Sequence, residues 1–182
     1  HALRVADHGL ALGEEPGDGE GHGDAVVAEA VDHRRVQRMA ALDSVSWGPY
    51  QAIGDAQWRL GRSAAAEAAY RKATELSPTS GTIHAWYGII LLRQGRAAEA
   101  LKAVDRDPDE GWRRWGRSLA LDALGRGDEA DQELAALTAG FAGSRAWSIA
   151  SVHACRDRLD EAFSWLDRAY RQRDGQLPVI KA

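Results

Sequence analysis

An alanine returns at a nearly fixed interval along this chain. Ala66, Ala100, Ala130 and Ala162 recur at spacings of 34, 30 and 32, in the phrases GRSAAAEAAY, GRAAEALKAV, GRGDEADQEL and RDRLDEAFSWL. Self-similarity of that period is the mark of stacked helical hairpins, because one hairpin cannot bury its apolar side alone. Two antiparallel helices joined by a tight turn must approach closely somewhere, and a small side chain permits it. Four residues after each alanine comes a larger apolar one: Tyr70, Val104, Leu134 and Leu166. These lie one turn along on the same helix face and fill the space between helices. Ala73, Leu137 and Ala169 follow three residues later and close the seam to the next unit. Small and large side chains thus alternate, as close packing requires.

Capping and breaking residues divide the chain into four pairs of helices. Ser46 is expected to cap a helix over 46–60 that carries Pro49 in its first turn. Gly61 supplies the left-handed turn, Ser63 caps a helix over 63–76, and Pro78 blocks its continuation. The second pair is expected over 81–94 and 97–106, with Gly95 between them and Pro108 after. The third spans 109–124 and 127–138 around Gly125. The fourth spans 144–156, capped by Ser144, and 159–171. There Asp157 takes the glycine's place, since Asp tolerates the left-handed conformation better than most residues. Asp107, Asp109 and Glu110 lie where a helix dipole favours acids. Gly54 and Gly88, at the same interval as Ala66 and Ala100, mark a close approach within the first helices.

The flanks differ. Residues 1–24 hold six glycines, Pro16 and six acids against one arginine. Such a stretch buries too little apolar surface to offset its ordering entropy, so disorder is expected. Residues 25–43 read as a degenerate half-repeat helix, 44–171 as the repeat array, and 172–182 as a truncated tail. The chain begins at His1 and its one methionine is Met39, which points to a fragment. No polar capping helix follows the last pair in the sequence. An exposed apolar patch is therefore expected near Trp165 and the tail residues Leu177, Val179 and Ile180, with self-association through that end.

Several function classes are disfavoured by what is missing. A net charge of −4 argues against a general nucleic-acid binder. One cysteine, Cys155, leaves no intrachain disulfide. No apolar run reaches membrane-spanning length and no secretory signal opens the chain, so a cytoplasmic location is expected. No phosphate-binding glycine loop, HExxH or GxSxG occurs, so the expectation is a non-enzyme without cofactor or metal. His153 and Cys155 are two apart on one helix and point in different directions. His22, Asp24 and His33 sit in an acidic glycine-rich stretch, where solvation outweighs metal binding.

The phrases themselves resemble the tetratricopeptide repeat, a 34-residue helix–turn–helix with Gly in its first helix, Gly at the turn, then Ala, an aromatic, Ala and Pro. Residues 47–80 match best, through Tyr50, Gly54, Gly61, Ala66, Tyr70, Ala73 and Pro78. The next unit keeps Gly88, Gly95 and Ala100. The third keeps Gly125 and Ala130, with Ser118 where the first-helix Gly is expected, and the fourth Ala162 and Ala169. The resemblance covers about residues 44–171 and implies an all-α, right-handed superhelical solenoid of antiparallel helix pairs. Two further phrases, DPDEGWRRWGRSLALDALGRGDEAD and EAFSWLDRAYRQRDGQL, are similar to the final repeats of bacterial regulatory proteins. That likeness implies a sensory or docking segment of a larger bacterial signalling or transcriptional regulator, and with it the alternative reading of a regulatory segment that binds a small molecule.

In such an array the first helix of each pair faces the groove. The face should carry Gln51, Asp55, Trp58 and Arg59, then Ala85, Ile89, Leu92 and Arg93. It continues with Trp112, Trp115, Leu119 and Asp122, and ends with Trp147 and Ser151. Seven tryptophans in 182 residues is a large share. A single Trp is more often core than contact, yet Trp and Arg are the types enriched at binding hot spots. The stripe as a whole implies a groove for a protein partner, either a peptide or a helix. The family's carboxylate clamp uses Lys and Asn. Gln51, Asp55, Ala85 and Ile89 depart from it, so chaperone tails are not the expected partner.

Overall fold

The structure, a computed structural model, describes residues 46–175. The expectations for 1–24 and 25–43, for His22, Asp24 and His33, and for Leu177, Val179 and Ile180 lie outside those residues. The described chain is helical throughout, without strands, and it divides into two compact units at Ile83 and His84. The first unit holds α1 (Trp47–Arg59) and α2 (Ser63–Leu76). The second holds α3 (Ile83–Arg93), α4 (Ala97–Val104), α5 (Glu110–Ala123), α6 (Gly127–Phe141), α7 (Ala146–Cys155) and α8 (Leu159–Gln172).

One turn closes all four pairs. Gly61, Gly95 and Gly125 take φ of 69°, 76° and 73°, and Asp157 takes 55°. At the first turn the Gly61 N–H donates to Trp58 O and the Arg62 N–H to Gln57 O, at 2.8 and 2.9 Å. The same two bonds recur from Gly95 and Arg96, from Gly125 and Arg126, and from Asp157 and Arg158. Crossed bonds of this kind satisfy the last carbonyls of the first helix. The arginine carbonyl then accepts from the repeat alanine, as in Ala66 N–H to Arg62 O at 3.0 Å. Each second helix is therefore started by backbone alone.

That economy changes the expected caps. Ser63 lies inside α2, and Arg62 holds the capping position without a side-chain bond. Ser144 precedes the true cap, Arg145. Ser46 borders α1 yet makes no capping bond with its side chain. Asp109 is the exception: its carboxylate accepts from the Trp112 N–H at 2.9 Å and caps α5. Helix α3 begins at Ile83 rather than 81, α4 ends at Val104, and α6 continues to Phe141.

The repeat alanines are seam residues. Ala66, Ala100 and Ala130 are fully buried, and Ala162 is 4% exposed. In the first pair a Cβ on Gly54 would lie 2.6 Å from two ring carbons of Tyr70, so the ring rests on bare backbone. In the second pair Gly88 receives Val104 in the same way. The third pair puts Ser118 at this position. It is buried, and its hydroxyl donates to Ala130 O at 3.2 Å, so a hydrogen bond replaces the bare contact. Tyr70, Val104, Leu137 and Ile149 are each fully buried, and removing such a side chain from water contributes about 1.5–3 kcal/mol.

Candidate functional site

Helix periodicity brings four indoles together in the second unit. Trp112 and Trp115 are three apart on α5 and so share a face. Trp86 comes from α3 and Trp147 from α7. Trp86 lies 5.2 Å from Trp115, 6.1 Å from Trp112 and 6.4 Å from Trp147 between ring centroids. Trp115 is 5.2 Å from Trp112 and 6.1 Å from Trp147. The Trp115 contacts with Trp86 and Trp112 are edge-to-face, the arrangement the ring quadrupole favours.

Trp115 is the floor of this cluster. It is 2% exposed, and its Nε1–H donates to Ser151 Oγ at 2.9 Å. Ser151 in turn donates to Ser148 O at 2.7 Å. Trp86, Trp112 and Trp147 are half-buried, packed against the core on one side and open on the other. Trp115 thus supports the surface and offers little area itself.

Arg145 closes one edge. Its guanidinium carbon lies 4.6 Å from the Trp112 ring centroid, and its Nη2 donates to both Asp109 oxygens at 2.7 and 2.8 Å. A Cβ on Gly111 would stand 2.2 Å from Arg145 Nε, so the glycine makes the room. Asp109 thus caps α5 and aims the guanidinium in one act. A cation over an indole adds about 0.5–2 kcal/mol, depending on its desolvation.

The structure gathers Trp112, Trp115, Trp147 and Ser151 at this surface and assigns Asp122 another contact. Asp122 stands 3.1 Å from Arg156 Nε and so joins an ion pair. Arg93, at the end of α3, is exposed. Gln51, Asp55, Trp58 and Arg59 belong to the first unit, where Arg59 is exposed and the other three are half-buried. Asp55 accepts a short hydrogen bond from the Tyr70 hydroxyl. Burial raises the Asp55 pKa above 3.8, while Tyr70 and Arg59 pull it back. Burial and the Asp55 charge push the Tyr70 phenol well above its usual range.

The Asp55 shift has a consequence for stability. A carboxyl whose folded pKa is raised favours the protonated fold, so stability present below the unfolded value is lost as pH rises through the folded one. Asn keeps the acceptor for Tyr70 without the charge. Asp55→Asn is therefore expected to melt above the wild type at pH 7 and to converge with it near pH 3, by circular dichroism. Equal melting at both values would show that Arg59 already compensates the carboxylate.

Trp86 and Arg145 are the residues that sequence reasoning passed over. Trp86 stands fourteen positions before Ala100, while Trp115 and Trp147 each stand fifteen before Ala130 and Ala162. Counting back from the alanine would have found it. Arg145 carried no such signal. Cys155 packs half-buried beside the core, where burial raises its thiol pKa, and burial lowers that of His153. A thiol so held stays protonated and is a poor nucleophile. Among the described residues no group of three His, Cys, Asp or Glu side chains is placed to hold a metal ion. No helix there is long and apolar enough to cross a membrane.

Residues 52–111 match the sequence profile of the family described as Tetratricopeptide repeat. No curated protein sequence matches the chain. Solved structures do, at low identity. A crystal structure of MamA superposes with a TM-score of 0.58 at 16% identity, over 89% of this chain and 96% of that one. MamA 41-end from Desulfovibrio magneticus RS-1 gives 0.56 at 14%, over 86% and 92%. YrrB, described as a TPR protein with an unusual peptide-binding site, gives 0.52 at 20%, over 82% and 80%. At these identities the likeness is one of fold. The chain has the all-α architecture of tetratricopeptide helix pairs.

Proposed function

We propose that this chain is a non-catalytic protein-interaction module that takes a peptide or a partner helix across α3, α5 and α7, the first helices of the pairs in its second unit. The observation that carries the reading is the indole cluster. Three partly exposed tryptophans come from three successive first helices, supported by a fourth and edged by a guanidinium already held in place. A surface that is large, apolar and pre-organised loses little entropy on binding and suits an anchor side chain. In this reading Trp86, Trp112 and Trp147 supply the area, and Arg145 with Arg93 supplies polar contacts. Gln51, Asp55, Trp58, Arg59 and Asp122 are the groove-face positions of their own helices. The partner is protein, in a cytoplasmic setting, and the module serves a larger regulator of the kind whose last repeats residues 107–131 resemble.

Peptides selected from a displayed random library supply the test. Those that bind the wild type are expected to lose at least about tenfold in affinity, roughly 1.4 kcal/mol, with Trp112→Ala and with Trp147→Ala. Helix content by circular dichroism should stay as in the wild type. Peptides bound equally well by the Trp112→Ala, Trp147→Ala double variant would refute the site.

A further inference from the structure

The second unit shows what the back of a second helix accepts. A Cβ on Gly116 would lie 2.7 Å from both Val104 methyls, so α5 rests on α4 with bare backbone over Val104. Arg117, the next residue, forms an ion pair with Asp105, the residue after Val104. A Val–Asp step at the end of one helix thus receives a Gly–Arg step on the next. Leu166 and Asp167 follow Val104 and Asp105 at the same offset that separates Ala162 from Ala100, two repeats on. They occupy the same register on α8.

Around Leu166 the back of α8 is open. Leu159, Phe163 and Tyr170 are 57%, 68% and 78% exposed. With Leu166 they fall at spacings of four, three and four, which places them on one stripe. Trp165, near which the sequence predicts an exposed apolar patch, is itself half-buried with the Arg168 guanidinium over its ring. Asp160 and Asp167 edge the stripe on one side. Asp167 pairs with Arg171 of its own helix, and both side chains are more than half exposed. Such a pair is worth little and is readily exchanged for another cation.

We infer that the back of α8 docks an amphipathic helix of a protein partner that carries a small residue followed by a basic one. The Gly or Ala sits over Leu166, the Arg or Lys meets Asp167, and the partner's apolar stripe covers Phe163 and Tyr170. A second copy docking α8 on α8 in antiparallel fashion would set Asp167 near Asp167, and like charges so placed repel. The inference concerns a different face from the indole cluster and does not depend on that reading.

A displayed library of amphipathic helices, randomised at two adjacent central positions, tests it on the full chain. Helices with Gly or Ala before Arg or Lys are expected to be enriched. Their affinity, read by fluorescence anisotropy of the synthetic peptide, should fall at least tenfold with Phe163→Glu and with Asp167→Lys. A peptide with Glu in the basic position should regain binding to Asp167→Lys, and Trp112→Ala should leave binding unchanged. Phe163 is solvent-exposed, so unchanged helix content in Phe163→Glu is the control for folding. The inference fails if no small–basic pair is enriched, or if binding survives Phe163→Glu. It also fails if sedimentation shows a wild-type dimer that Phe163→Glu converts to monomer, because a second copy would then cover the stripe.

Discussion

Replacing Asp107 by alanine is expected to lower stability by about 3 kcal/mol, or roughly 6–12 °C in melting temperature. The carboxylate is fully buried. One oxygen accepts from the Ala85 N–H at 3.0 Å and the other from the Asp109 N–H at 3.1 Å. Ala85 lies in the first turn of α3, where backbone N–H groups have no partner within the helix. Hydrogen bonds to a charged group contribute about 1.5–3 kcal/mol each, and a buried donor left unpaired carries its full desolvation cost. Asp107→Asn keeps the shape and one acceptor and should restore part of the loss. Urea unfolding decides it: the midpoint should fall with an unchanged slope. A loss under about 1 kcal/mol for the alanine variant would mean that water serves both amides as well as the carboxylate does. The device is used twice. Asp174, past the end of α8, accepts from the Trp147 N–H at 3.1 Å in the first turn of α7.

Gly88→Ala is expected to destabilise the chain by about 1–3 kcal/mol, although alanine is the better helix former by about 1 kcal/mol. The added Cβ would stand 2.4 Å from Val104 Cγ2 and 3.2 Å from the Ala100 carbonyl oxygen. Val104 cannot swing aside, because a β-branched side chain in a helix has one strongly preferred rotamer. Retreat is blocked as well, since Gly116 holds Val104 from the neighbouring first helix. Val104→Ala alone leaves a cavity in a fully buried place and should cost about 1–2.5 kcal/mol. Combined with Gly88→Ala, however, it removes the clash. The double variant should be more stable than the sum of the two single losses predicts, by at least about 1 kcal/mol. Strict additivity in denaturant unfolding would show that Gly88 and Val104 do not press on each other.

The parts of the fold legible in the sequence are those whose physics is local or repeated. Gly61, Gly95, Gly125 and Asp157 each mark a left-handed position because few residues tolerate it. The alanines could be read because four spaced instances share one steric demand. The caps expected at Ser63 and Ser144 fail for a physical reason. At Ser63 the left-handed turn hands the capping position to Arg62, whose carbonyl opens the helix by accepting from Ala66, and after Ser144 the capping position falls one residue later, at Arg145. Gly116 carried no signal because its partner Val104 lies in the preceding pair, and the repeat pattern pointed two residues on, to Ser118. Distance along the chain hid other contacts too. Asp55 reads as a groove residue in the sequence, yet Tyr70, fifteen positions away, holds it. At the indole cluster, Trp112, Trp115 and Trp147 followed from periodicity. Arg145 did not, since its place depends on Asp109, 36 residues earlier.

The four turns carry one more implication. Each is shut by bonds reaching only three or five positions back, so a hairpin is specified almost wholly by its own short stretch of polypeptide. Chains built from such neighbourly contacts have low contact order and refold quickly, within about microseconds to milliseconds. Nucleation then has several equivalent starting places, and growth passes from one hairpin to the next by contact.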